Sequence, residues 1–264
     1  ETAAGLTVTL ASESGQTETI EAMGLIGADG LWSRARELTG DTRPPRFTGW
    51  EAWRTLIPSA EVPSELRQPT ISLRLGSARH AVHYPVSAGK EINLVLIRAA
   101  REARPGWSRD GDARDLTGIA SGAPIALRHL IEAAPGWQVW SLYDREPAAM
   151  AKGRIALLGD AAHPVLPFLA QGAALAIEDA AVLAHELASG LQAGGTAAVP
   201  AAFAAYATAR QARATRVQQA SRDNARSYHL GRPWSFARDL VLRRLGPEGL
   251  RQRYAWVYDW PLPG

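Results

Sequence analysis

Apolar and polar positions alternate with a period of two at residues 6–10 and again at 17–21, with the turn-like Glu13, Ser14, Gly15 and Gln16 between them. The pattern predicts a β-hairpin, because alternate side chains of a strand point to opposite faces. A short apolar run at 23–28 stops at Asp29-Gly30, and Ser33 opens a short predicted helix over 33–38. From Trp50 onward, the runs 50–57, 70–75, 79–86 and 91–98 are rich in Val, Ile, Leu and aromatic residues and are separated by Pro, Gly and Ser. Four strands at that spacing predict a mostly antiparallel sheet. A helix is expected over 126–134 and a strand over 137–142. Residues 155–158 are all apolar between turn residues, which reads as a buried strand. Then the period changes. Leu175, Ile177, Ala181, Leu183, Ala184 and Leu187 form an apolar helical pattern that opens at Gly172 and is expected to stop near Gly190. A long helix rich in Ala and Arg is predicted over 201–227 behind Pro200, with shorter helices at 235–245 and 247–254. This mixture of strand and helix signals is an α/β pattern.

Composition narrows the picture without changing it. The 264 residues are 46% hydrophobic and 21% charged, enough for a sizeable core in one or two domains. Lys and Arg number 29 against 26 Asp and Glu, a net charge of +3, and the basic residues are scattered. The nearest approach to a cluster is Arg210, Arg213 and Arg216, which the helical pattern reads as a solvated face, so no nucleic-acid footprint is expected. There is no cysteine, which excludes disulfides, zinc-thiolate sites and thiol nucleophiles and fits a reducing cytoplasm. No apolar run approaches the ~18 residues needed to span a bilayer. The start of the chain has no signal-peptide pattern and no Met, and strand alternation begins at once, as if mid-domain. Trp256, Tyr258 and Trp260 form an aromatic tail expected to pack onto a core.

Three stretches carry candidate chemistry. In the first, Gly159-Asp160 ends a strand, Pro164 and Pro167 stiffen a loop, and a helix opens at Gly172. Unpaired N–H groups and the helix dipole face such a loop, Asp160 can accept hydrogen bonds from ligand hydroxyls, and Gly172 permits close approach. An ordinary strand–loop–helix connection with a solvent-facing Asp fits the same residues. In the second, Asp29-Gly30 repeats the device, with Ser33 as a cap and Arg34 and Arg36 as cations for a phosphate. A tight turn with a structural Asp and surface arginines fits the same residues. In the third, His80, Val82 and Tyr84 share one strand face while His83 points to the other. His80 and Tyr84 suit a general base and its hydrogen-bond partner, or a sheet-surface His and a core Tyr. Arg145 suits a ligand contact or a surface ion pair.

Gly-Asp-Ala-Ala-His-Pro at 159–164, followed by Pro167, Ala170-Gln171-Gly172 and Ile177-Glu178-Asp179-Ala180, resembles the second flavin-binding motif of the class A flavoprotein monooxygenases. These are single-component aromatic hydroxylases similar to salicylate hydroxylase and 6-hydroxynicotinate monooxygenase. Asp29, Gly30, Ser33 and Arg36 resemble the Asp-Gly motif of the same family, and the two strings occur in family order. The resemblance implies an FAD-binding Rossmann-like domain with an inserted, mostly antiparallel β-sheet substrate domain and C-terminal helices. Residues 1–45 and 146–195 would belong to the FAD-binding domain, 46–145 to the substrate domain and 196–264 to the helices. It also implies FAD as cofactor, NADH or NADPH as cosubstrate, and O₂ and a small aromatic molecule as substrates.

The resemblance assigns roles residue by residue. Gly159 and Asp160 would hold the ribitol chain. Backbone N–H groups around Gln171, Gly172 and Ala173 would stabilise negative charge on reduced flavin. Pro164 and Pro167 would wall the reacting position. Asp29, Gly30 and Arg36 would serve the pyrophosphate or nicotinamide side. His80, with Tyr84, would deprotonate or orient a phenol-like substrate. One departure stands out. The family begins with a strand–Gly-x-Gly-x-x-Gly–helix unit, and no such unit occurs here, because Gly27/Gly30 and Gly194/Gly195 lack the spacing. The expectation is an incomplete FAD domain: a C-terminal portion of the family, inactive alone. The alternatives are a flavin oxidoreductase that does not hydroxylate and a non-catalytic remnant.

Overall fold

The computed structural model describes residues 1–2, 5–12, 14–104 and 106–261, so Glu13 of the first predicted turn lies outside the described residues. Eleven strands and six α-helices of the described residues follow in chain order: β1 (Leu6–Ala11), β2 (Thr17–Ala22), β3 (Leu25–Gly27), α1 (Ala35–Leu38), β4 (Arg46–Pro58), β5 (Ser72–Gly76), β6 (Arg79–Val86), β7 (Glu91–Ala99) and β8 (Arg109–Gly111), then α2 (Thr117–Ser121), α3 (Ile125–Glu132), β9 (Trp137–Asp144), β10 (Ala151–Lys152), β11 (Ile155–Leu157), α4 (Gly172–Gly194), α5 (Val199–Tyr228) and α6 (Trp234–Tyr258). The chain divides into two compact units: Glu1–Arg46 with Asp144–Asn224 and Pro247–Gly264, and Phe47–Tyr143 with Ala225–Gly246.

In the first unit, β1 and β2 form the expected antiparallel hairpin, in register from Leu6↔Ala22 to Ala11↔Thr17. Strand β11 pairs in parallel with β3 (Ile155↔Leu25 to Leu157↔Gly27) and antiparallel with β10. Ala156 and Leu157 are fully buried and pack with Val182, Leu183, Phe203 and Tyr206 of α4 and α5. The Tyr206 hydroxyl donates to the Leu157 carbonyl at 2.8 Å, which satisfies a strand-end acceptor inside an apolar core. Helix α4 runs past its expected stop at Gly190. A Cβ there would come within 2.9 Å of the Ala202 methyl, so this glycine lets α5 approach rather than ending α4.

In the second unit, six strands form one sheet in the order β5-β6-β7-β4-β9-β8. Strand alternation sorts the side chains onto two faces. On one face Trp53, Ile57, Ala81, Leu94, Leu96, Trp137 and Val139 pack with Leu127, Leu130 and Ile131 of α3. Glu51, 4% exposed, accepts from the Trp53 indole and from Arg98 and Arg109, so its charge is compensated inside that layer. The opposite face carries His80, Val82 and Tyr84, in register with Ile97, Val95 and Asn93.

Two expectations need correction. Of the three arginines read as a solvated face, Arg216 is exposed but Arg210 and Arg213 are not. Arg210 is fully buried and the Arg213 side chain is 9% exposed, because Glu178 and Asp179 of α4 accept from them. The aromatic tail is split. Trp260 lies over the Arg210 and Arg213 guanidiniums and Trp256 over Arg216, whereas Tyr258 is exposed.

Candidate active site

The Gly159–Asp160 turn follows directly from β11. Gly159 sits at φ +57°, in the left-handed region, and a Cβ there would meet the Ala176 methyl at 3.1 Å. Glycine is therefore required on two counts, backbone conformation and the proximity of α4. The Gly159 N–H donates to Asp179 Oδ2 at 3.0 Å, and His163 Nε2 reaches the same oxygen at 2.6 Å. Arg210 Nε donates to Asp179 Oδ1 at 2.8 Å. Asp179, His163 and Arg210 are all buried. Burial pushes the Asp179 carboxyl up, but the bonds from His163, Gly159 and Arg210 outweigh it and hold its pKa below the ordinary value. A carboxylate on the second turn of α4 thus fastens the turn to the helix.

The loop that follows is held by its carbonyls. Gln218 donates to Pro164 O at 2.7 Å, Ser221 to Leu166 O at 2.6 Å and Asn224 to Phe168 O at 3.1 Å. These three side chains are spaced by three along α5 and form one polar stripe on a buried helix face. Pro164 is buried and Pro167 exposed. Gln171 is the N-cap residue of α4 and is buried; its side chain makes no capping bond, and Ala173 is exposed in the first turn. Asp160 lies at the edge of this network, where it accepts from the Val165 N–H. Its side chain is exposed, yet the protein crowding it on one side raises its pKa, against the opposing pull of His163 and the Val165 N–H. A Cβ on Gly172 would have the Asp160 carboxylate at 4.0 Å as its nearest neighbour, so the glycine keeps open a space bounded by that carboxylate and the α4 N-terminus.

The Asp29 turn is built differently from the expectation. Asp29 accepts from the Ser33 hydroxyl at 2.5 Å and from the N–H groups of Arg34 and Ala35 at 2.7 and 3.0 Å. Its burial raises the carboxyl pKa, but these bonds outweigh it and lower it. Ser33 Oγ in turn accepts from the Arg36 N–H at 2.9 Å, and Gly30 adopts φ +74°. Arg36 is not a cation presented to a phosphate. It is fully buried, bonded to Asp41 at 2.6 Å and to the Glu146 carbonyl. The exposed cation of this turn is Arg34, which pairs with Glu37 at 3.2 Å. Arg145 is not a surface ion pair: it is 4% exposed and donates to the carbonyls of Arg43 and Leu31.

On the sheet, His80 and Tyr84 share a face, but four residues of strand separate them by about 13 Å, too far for the expected hydrogen bond. The partner of His80 is His229, with His80 Nδ1 and His229 Nε2 2.9 Å apart. The aromatic edge against His80 is Tyr228, not Tyr84. Burial lowers the His80 pKa to about 3, with His229 adding to the shift, so the ring is neutral at physiological pH.

The model of an FAD binding domain matches residues 2–221. The chain is 35% identical over 255 residues to a 3-hydroxybenzoate 6-hydroxylase of Klebsiella oxytoca, covering 96% of this chain and 62% of that protein. It is 37% identical over 210 residues to a 6-hydroxynicotinate 3-monooxygenase of Bordetella bronchiseptica, covering 77% and 53%. A solved salicylate hydroxylase in complex with substrate superposes with a TM-score of 0.78 at 27% identity, over 99% of this chain and 66% of that one. The chain belongs to the FAD-dependent aromatic monooxygenase family. It spans about three fifths of the length of the 3-hydroxybenzoate 6-hydroxylase it matches. Asp179, Arg210, Gln218, Ser221, Asn224 and His229 were not legible as site-building residues. Only Asp179 lay inside a string that resembled the family, and it carried no role there.

Proposed function

We propose that this chain forms part of a monooxygenase that hydroxylates a small aromatic substrate, using FAD, NADH or NADPH, and O₂. The observation that carries the reading is the Gly159–Asp160 turn, fastened to α4 and α5 through Asp179, with the Asp160 side chain exposed beside Gly172. FAD, when bound, supplies the redox chemistry and the activation of O₂. Asp160 would accept hydrogen bonds from the ribitol hydroxyls. The first-turn N–H groups of α4 at Gly172 and Ala173, beside Gln171, would hold negative charge on the flavin ring. Pro164 and Pro167, on a loop held by α5, keep a fixed wall with few N–H donors. Asp29 and Gly30 shape a turn from which Arg34, rather than Arg36, offers a cation to the pyrophosphate or nicotinamide side. His80, neutral and buried, accepts the proton of a substrate hydroxyl, and Tyr84 borders the ring farther along the same face.

Similarity to 3-hydroxybenzoate and 6-hydroxynicotinate hydroxylases supports a ring bearing a hydroxyl and a carboxylate as the substrate class. The test is to load the chain with FAD and supply NADH or NADPH with 3-hydroxybenzoate, following product mass under isotopically heavy O₂. Incorporation of one heavy oxygen is the expected result. Flavin-dependent NAD(P)H oxidation without incorporation would replace the reading with that of a reductase, and failure to retain flavin would remove it for this chain.

A further inference from the structure

The six-stranded sheet of the second unit carries a cavity of about 600 Å³, bounded by Arg54 and Leu56 of β4, Asp110 of β8, and Gln138 and Trp140 of β9. Strand alternation assembles this set. Trp53, Ile57, Trp137 and Val139 point into the core against α3, so Arg54, Leu56, Gln138 and Trp140 point the other way. Neither His80 nor Tyr84 lines the cavity, because β7 stands between β6 and β4.

Arg54 is the cation of this cavity. Its Nε donates to Asn93 Oδ1 at 2.7 Å, and Asn93 is fully buried, so the guanidinium is held at one edge by a fixed acceptor. Among the described residues no carboxylate pairs with Arg54. The contrast is with Arg98 and Arg109 on the other face of the same sheet, both of which pair with Glu51. The Arg54 edge formed by Nη1 and Nη2 is therefore a prepared fork, the shape that takes a carboxylate in two parallel hydrogen bonds. Across the cavity, Asp110 Oδ1 accepts from Gln138 Nε2, which leaves Oδ2 for a donor. Strands β4 and β8 flank β9, so their backbones stand about 10 Å apart. Half-buried Trp140 and partly exposed Leu56 supply apolar surface for a flat ring.

We propose that this cavity binds a small aromatic carboxylate whose ring also bears a hydroxyl or amino group. The carboxylate lies on the Arg54 fork, the ring against Trp140 and Leu56, and the ring donor on Asp110. Charge sets the orientation, since Asp110 repels the carboxylate that Arg54 attracts. The site goes beyond the monooxygenase reading, because it uses none of the residues given a role there.

The probe is 3-hydroxybenzoate, titrated calorimetrically into the 264-residue chain without cofactor at low ionic strength. Saturable binding is expected, and the uncharged 3-hydroxybenzamide should bind at least tenfold more weakly. Arg54→Gln should weaken the acid at least tenfold, and Arg54→Lys, which keeps the charge but not the fork, should recover only part of that loss. Asp110→Asn should narrow the advantage of 3-hydroxybenzoate over benzoate. A hydroxybenzoate carrying an azide, activated by light, should label peptides of β4 or β9. No binding, equal binding of acid and amide, or binding lost in His80→Gln but kept in Arg54→Gln would overturn the proposal. The amide comparison and the labelled peptide decide in the wild-type chain even if a variant fails to fold. Binding on these terms without hydroxylation would count against the monooxygenase reading alone, and hydroxylation with the label elsewhere would count against this site alone.

Discussion

At the scale of single residues, Asp160 and Asp179 show how two carboxylates 19 positions apart are put to opposite uses. Asp179 is buried and fully engaged, holding Gly159, His163 and Arg210. Asp179→Ala would leave the buried Arg210 with Glu178 as its remaining carboxylate and remove the acceptor of His163 and the Gly159 N–H, and breaking such a buried pair costs about 3–5 kcal/mol. Chemical denaturation should show a loss of that size. Asp160 is exposed and holds little of the protein. Asp160→Ala should leave the denaturation midpoint of the flavin-free chain almost unchanged while weakening FAD at least tenfold, measured by flavin fluorescence titration. Equal losses of stability in the two variants would contradict this division of labour.

At the scale of elements, α5 is the organising piece. Its Gln218, Ser221 and Asn224 hold three carbonyls of the loop between β11 and α4. Ser221→Ala should cost about 1–3 kcal/mol, because the buried Leu166 carbonyl is left without its donor. The segment just after α5 also places His229 against β6 of the second unit, which ties stability to pH. Burial depresses His80 to about 3 and His229 to about 4, both below the ordinary histidine value of 6.5. Between those values and 6.5 the unfolded chain binds more protons, so stability is full above pH 6.5 and is lost as pH falls toward 4. The buried His80 alone supplies a slope of up to about 1.4 kcal/mol per pH unit in that window. Urea unfolding from pH 7 to 4 should show the decline, and His80→Gln should flatten it.

For the whole molecule, the prediction is ligand-linked stability. FAD at a hundred times its Kd should add about 2.7 kcal/mol to unfolding, seen as a higher melting temperature that Asp160→Ala abolishes. Much of the architecture was readable from the chain, since it depends on short-range rules. Alternation placed His80 and Tyr84 on one face, the all-apolar run at 155–157 became a buried strand, and Gly172 opened α4. The Asp29–Ser33 turn is also local, its bonds spanning four to six residues. No helix among the described residues is long and apolar enough to cross a membrane, in keeping with the absence of long apolar runs. What the chain could not disclose is which polar groups are turned inward. Arg36 and Arg210 look like surface cations in sequence, and each becomes fully buried because a carboxylate waits for it: Asp41 for Arg36, and Asp179, 31 positions away, for Arg210. His80 has its partner 149 positions away rather than four. Backbone periodicity is set by each residue and its near neighbours. Burial of a charge, or of a histidine ring, depends on a partner that only packing brings within hydrogen-bond reach.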